Sequence, residues 1–128
     1  MKVFHEVLKA VEPGSTMIEL GCYWEYYSLW FQKAVKNARN FMIEPNKTAL
    51  ECGRKKFQLN GMRGDFTLAR VGRTSSTGWQ ASRAGTASAE APAVCVRDFV
   101  REKGIEKVSL LHSAIQGFEY EMLQGCGD

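Results

Sequence analysis

Short apolar runs alternate with helical patterns along nearly the whole chain, and no other feature limits the fold so strongly. Thr16 to Leu20, Asn40 to Ile43, Phe66 to Val71 and Val108 to Ile115 read as strands, with apolar residues at helical spacing between them. Such alternation requires a crossover between successive strands, so the strands run parallel and their sheet is covered on both faces. The expected fold is α/β, doubly wound and mostly parallel. Ligands in such sheets bind beyond the carboxyl ends of the strands, where the strand order reverses. Three stretches lie at those ends, Glu19-Leu20-Gly21, Glu44-Pro45-Asn46 and His112 to Gly117, and the fold predicts that they converge.

The rest of the 128 residues fit one domain. Lys2 to Val11 reads as a helix with Val3, Phe4, Val7, Leu8 and Val11 on one stripe, and Glu12-Pro13-Gly14 stops it, so residues 1–14 form an N-terminal helical segment. From Tyr23, the aromatics Tyr23, Tyr27, Trp30 and Phe31 share one helix face. That stripe suits packing against a sheet; a wall for a ligand ring is the alternative. Lys47 to Leu59 is a helix with Leu50 and Phe57 inward, closed by Asn60-Gly61. Gly72 to Ala93, rich in small residues, reads as a long flexible loop or insertion with Trp79 as its only large apolar residue. Val96 to Lys103 and Phe118 to Leu123 are the last helices.

Composition narrows the function classes. The net charge of +3 is spread along the chain, and Arg54-Lys55-Lys56 lies within a helical pattern, which reads as a solvated face rather than a nucleic-acid surface. No apolar run approaches the roughly 18 residues of a membrane span, and the N-terminus has no signal-peptide profile. Cys22, Cys52, Cys95 and Cys126 are far apart, with no Cys-x-x-Cys and no His at ligand spacing. The expectation is therefore no metal site, no disulfide framework and a reduced, cytoplasmic compartment.

The stretch "TMIELGCYWEYYSLWF", Thr16 to Phe31, has the order strand, glycine turn, helix that holds nucleotide-type cofactors. Glu44 follows Gly21 by a little over twenty positions, about the spacing at which an acid meets a ribose diol in such folds. A nicotinamide dinucleotide also needs later glycines so that its pyrophosphate can approach the backbone, and here those positions are Tyr23 and Tyr26. S-adenosylmethionine has no phosphate and carries an ammonium and a sulfonium. One glycine and the nearby acid Glu19 suit it better.

Together, "MIELGCYWEYYSLWF", "FMIEPN" and "LLHSAIQGFEYEMLQG" resemble the FkbM-type S-adenosylmethionine-dependent methyltransferases, from about Thr16 to Gly125 and least through Gly72 to Ala93. The resemblance implies a Rossmann-like class I methyltransferase sheet and methyl transfer to a hydroxyl of a sugar or natural product, a small-molecule acceptor. It puts Glu19 and Gly21 at the methionine end of the cofactor, Tyr23 among the cofactor-binding residues, Glu44 on the ribose hydroxyls and Asn46 beside the adenine. It puts Gln116 and Glu119 on the substrate side.

Three departures from the family stand out. Glu25 replaces a second small residue of the turn, Ala114 replaces an aspartate, and the chain ends before the family's last strands. Glu25 has two readings: a first-turn acid favoured by the helix dipole, or an intrusion into the methionine pocket. His112 and Glu119 are the weak catalytic candidates. Each has a structural alternative, a packed histidine and a helix-start acid. The departures keep a second reading open, a non-catalytic remnant of the same fold acting only through binding. An edge strand at Val108 to Ser113 with no blunting Pro or Lys would recruit another strand, so a homodimer through that edge, or aggregation, is also expected.

Overall fold

The structure is a computed structural model that describes residues 2–22, 26–79, 91–115, 117 and 119–127. The strands are β1 (Thr16–Leu20), β2 (Arg39–Glu44), β3 (Asp65–Leu68), β4 (Arg70–Val71), β5 (Ala93–Val94) and β6 (Leu110–Ser113). The helices are α1 (Lys2–Lys9), α2 (Tyr26–Ala34), α3 (Lys47–Leu59), α4 (Val96–Glu102) and α5 (Glu119–Cys126). Four strands form one parallel sheet in the order β3-β2-β1-β6, and β4 and β5 form a small parallel ladder. The fold is therefore α/β and Rossmann-like: chain order runs outward from β1 to β3 and then reverses across β1 to β6.

Side chains alternate along each strand, so each central strand feeds both faces. Ile18, Leu20, Phe41 and Ile43 pack on one face with Phe99 of α4 and Met122 of α5. On the other face Met17 packs with Phe4, Leu8 and Phe31 of α1 and α2, while Met42 packs with Leu50 and Phe57 of α3. Burial on both faces accounts for the near-continuous apolar runs of β1 and β2. Their buried polar residues are bonded: Asn40 donates from Nδ2 to the Ser28 carbonyl at 3.2 Å and accepts from Gln32 at 2.9 Å.

Several sequence expectations change in detail. Among the described side chains of α1, Phe4 and Leu8 are buried, whereas Val3 is 77% exposed and Val7 also faces outward. The run expected as a single strand from Phe66 to Val71 is broken at Ala69. The Ala69 amide still donates to the Glu44 carbonyl at 3.2 Å, but the Arg70 amide turns to the Pro92 carbonyl at 2.9 Å, so the chain leaves β2 to pair with β5. Within the stretch read as a loop, Ala93 belongs to β5, and Gly72 and Ser76 donate their amides to the Val94 and Ala93 carbonyls. Trp79 is buried against Phe99, with ring centres 6.1 Å apart. Among the described residues β6 pairs with β1 alone, and no helix is long and apolar enough to cross a membrane.

Candidate functional site

The departure of β4 from β2 leaves a cleft of about 490 Å³ beyond the carboxyl ends of the strands. Its near wall is Gly21 after β1 with Ala114 and Ile115 after β6. Its centre is Ile43 to Asn46 at the end of β2, and its far wall is Ala69 to Val71 at the β3–β4 break. The three strand-end stretches thus meet in part: Gly21, Glu44, Asn46 and the Ala114–Ile115 turn come together. Glu19 and His112 lie below, between the sheet and α2.

The centre is fixed by side chains bonded to backbone amides. Glu44 is buried, and its Oε2 accepts the Asn46 amide at 2.7 Å. Asn46 in turn caps α3, its Oδ1 accepting from the Ala49 amide at 3.0 Å. The carboxylate therefore stands at a helix N-terminus, where the dipole favours an anion. A carboxylate held this way can accept from two neighbouring hydroxyls, the chemistry that a ribose diol presents.

The near wall is tight. Gly21 has φ of +69°, and a Cβ there would lie 2.6 Å from the Ala114 carbonyl oxygen. Its amide donates to the Ile43 carbonyl at 2.9 Å. A glycine is needed here for the ends of β1 and β6 to close, whatever else the turn does. Glu19, paired in register with His112 across β1 and β6, accepts from the Ser28 amide at 3.1 Å and from the Ser28 hydroxyl through Oε1. Its Oε2 is 3.2 Å from His112 Nδ1, a contact not aligned as a hydrogen bond. The His112 ring lies 4.2 Å from that of Tyr27, and Tyr27, Trp30 and Phe31 pack beside α1, the packing alternative for that stripe. Glu119 folds back over the turn before α5, accepting from the Ile115 amide at 3.0 Å and the Gly117 amide at 2.9 Å. Tyr23, Glu25 and Gln116 lie outside the described residues.

No family model matches the chain, and no curated protein matches it. In structure it is similar to a SAM dependent methyltransferase from Aquifex aeolicus, at a TM-score of 0.47 and 17% sequence identity. The alignment spans 52% of this chain and 38% of that one.

Sequence reasoning missed the whole far wall. Arg70 and Val71 were placed inside a strand, and nothing in their apolar–polar alternation signals that pairing with β2 stops at Ala69. It also missed how α4 begins. Cys95 is the N-cap and has no side-chain cap bond, so Ser75 acts in its place: its hydroxyl accepts from the Cys95 amide at 3.0 Å and donates to Asp98 Oδ2 at 2.6 Å. The Ser75 bond, then that from Cys95, hold the Asp98 carboxyl below the usual carboxylate range.

Proposed function

We propose that this chain is the cofactor-binding part of an S-adenosylmethionine-dependent methyltransferase of FkbM type, acting on a hydroxyl of a sugar or natural product. The observation that carries the reading is the Glu44 carboxylate, buried and oriented by the Asn46 amide at the centre of a strand-end cleft. The residues present fit the nucleoside half of the cofactor. Glu44 accepts the ribose hydroxyls, Ile43, Val71 and Ile115 give apolar walls that exclude water, and the volume lies in the range of small-ligand pockets. When bound, the cofactor supplies the electrophilic methyl group. The chain's own contribution is to hold the ribose at Glu44 so that the reactive end points toward the Gly21–Ala114 wall. Asn46 fixes the turn that carries Glu44.

A second reading, a module that binds the nucleoside without transferring a methyl group, is favoured by a specific arrangement. Both Glu19 oxygens face protein groups, Ser28 and His112, and Ala114 offers a methyl group where the related motif has a carboxylate. Self-association through β6 belongs to the same proposal, since its outer edge has no partner strand among the described residues and Leu111 is partly exposed.

Titration calorimetry with S-adenosylhomocysteine tests the shared core of both readings. Glu44→Ala should weaken binding by about 1.5–3 kcal/mol, the worth of a charge-assisted hydrogen bond with its unpaired remainder. Equal affinity in the two proteins removes Glu44 from the site. Incubation of the protein with S-adenosylmethionine and a panel of sugars then separates the readings: demethylated cofactor supports transfer, and binding without it supports the module. A monomer by light scattering at high concentration would remove the β6 self-association.

A further inference from the structure

Arg70 is the cation of the cleft. It stands on the far wall at the β3–β4 break, its side chain exposed, and its guanidinium forms no ion pair or hydrogen bond with the described residues. Its backbone is already committed, with the amide donating to the Pro92 carbonyl, and the Ala69 amide is likewise engaged by Glu44. The backbone donors at Ala69 and Arg70 are therefore used, and among the described residues the unpaired donor there is the Arg70 side chain.

The cleft runs from the β1–β6 wall through Glu44 to Arg70. A nucleoside whose ribose sits at Glu44 with its 5′ end toward the β1–β6 reversal points its base at the β3–β4 wall. We infer that Arg70 is a positioning residue for the base, its planar guanidinium lying over the purine face as the outer wall of the cleft. This rests on the nucleoside reading above. An anionic group is the rival partner for a free arginine, but a phosphate on the ribose diol would sit against the Glu44 carboxylate, and like charges in a partly desolvated site repel. A neutral ring with a π face suits both groups at once. Arginine stacks on such rings by cation–π attraction and flat contact, which the compact ammonium of lysine does not reproduce.

The test is calorimetry of S-adenosylhomocysteine with the wild type, Arg70→Ala, Arg70→Lys and Glu44→Ala, at low and high potassium chloride. Arg70 is exposed, so its variants should keep the fold, and thermal melts check this. Stacking predicts about 10-fold weaker binding for Arg70→Ala, a Lys variant closer to Ala than to wild type, and little salt dependence. Uridine, with a smaller ring face, should lose less than adenosine on Arg70→Ala. Binding that Glu44→Ala weakens and Arg70→Ala leaves unchanged overturns the inference alone. Rescue by Lys with steep salt dependence also overturns it, in favour of an anion site. Wild-type protein that binds no nucleoside overturns both the inference and the reading beneath it.

Discussion

The two walls of the cleft solve opposite problems. At the β1–β6 wall the chain closes on itself: Gly21 is pressed against Ala114, while behind that wall Glu19 bonds to Ser28 beneath the sheet and Glu119 gathers the Ile115 and Gly117 amides. At the β3–β4 wall the strand pairing gives way after Ala69, and Arg70 stands with no partner among the described residues. Residues of the same chemical type thus have different meanings. A carboxylate that gathers the amides of its own fold braces the wall, whereas a polar side chain lining the cleft, Glu44 or Arg70, borders the space a ligand would fill.

The largest effect should come from pressing on the closed wall. Gly21→Ala adds both the strain of positive φ and a contact 2.6 Å from the Ala114 oxygen. A loss of about 3–4 kcal/mol in urea denaturation is expected from the sum of those two costs. Gly14→Ala is the matched control: φ is +79° with nothing within 4 Å of the added methyl, so about 1 kcal/mol should be lost. Similar losses at the two sites would mean that the β1–β6 contact gives way easily, and the contrast between the walls would weaken.

Next in size is Glu19→Ala. It strands the buried Ser28 amide and removes the contact to His112, which should cost about 2–3 kcal/mol of stability. On this account nucleoside affinity stays within a factor of about 2 of wild type, the spread expected of a residue with no ligand contact. A large drop in affinity with an unchanged melting temperature would move Glu19 into the cleft, as the family resemblance implies. Asn46→Ala should cost about 1 kcal/mol through the α3 cap, and weaken binding as well because the cap fixes the Glu44 turn.

The smallest effect concerns Ser75 and is read from pH. Its hydroxyl lowers the folded pKa of Asp98, so the stability this adds is present above the ordinary aspartate pKa and is lost as pH falls through the lowered value. Ser75→Ala removes the main cause of the lowering. The stability gap between wild type and variant, from urea midpoints, should therefore be wider at about pH 6 than at about pH 3. A gap that does not change with pH would show that the Ser75–Asp98 bond adds nothing to α4.

Much of this architecture was legible in the residues. The near-continuous apolar runs of β1 and β2, the break at Glu12-Pro13-Gly14 and the helix from Lys47 to Leu59 each follow from local chemistry, and the structure keeps them. The site was only half legible. Gly21 and Glu44 are named by their place at strand ends, because a turn and an acid there are local features. Arg70 was not, because what makes it part of a cleft is a change of pairing partner from β2 to β5, more than twenty residues away in sequence. The same non-local reason hid the Ser75 cap of α4. The backbone bonds of Glu19 and Glu119 were hidden too, since a motif match gives a residue's position but not the hydrogen bonds its oxygens make.

The central claim is that the open half of the cleft holds a nucleoside around Glu44 while the closed half adds little. Calorimetric titration of free adenosine beside S-adenosylhomocysteine, into wild type and Glu44→Ala, addresses it most directly. The account predicts that adenosine alone binds, within about 10-fold of S-adenosylhomocysteine, or about 1.4 kcal/mol, and that Glu44→Ala weakens both ligands by the same factor. S-adenosylhomocysteine that binds while adenosine does not, or a Glu44→Ala variant that keeps full affinity for either, would contradict it.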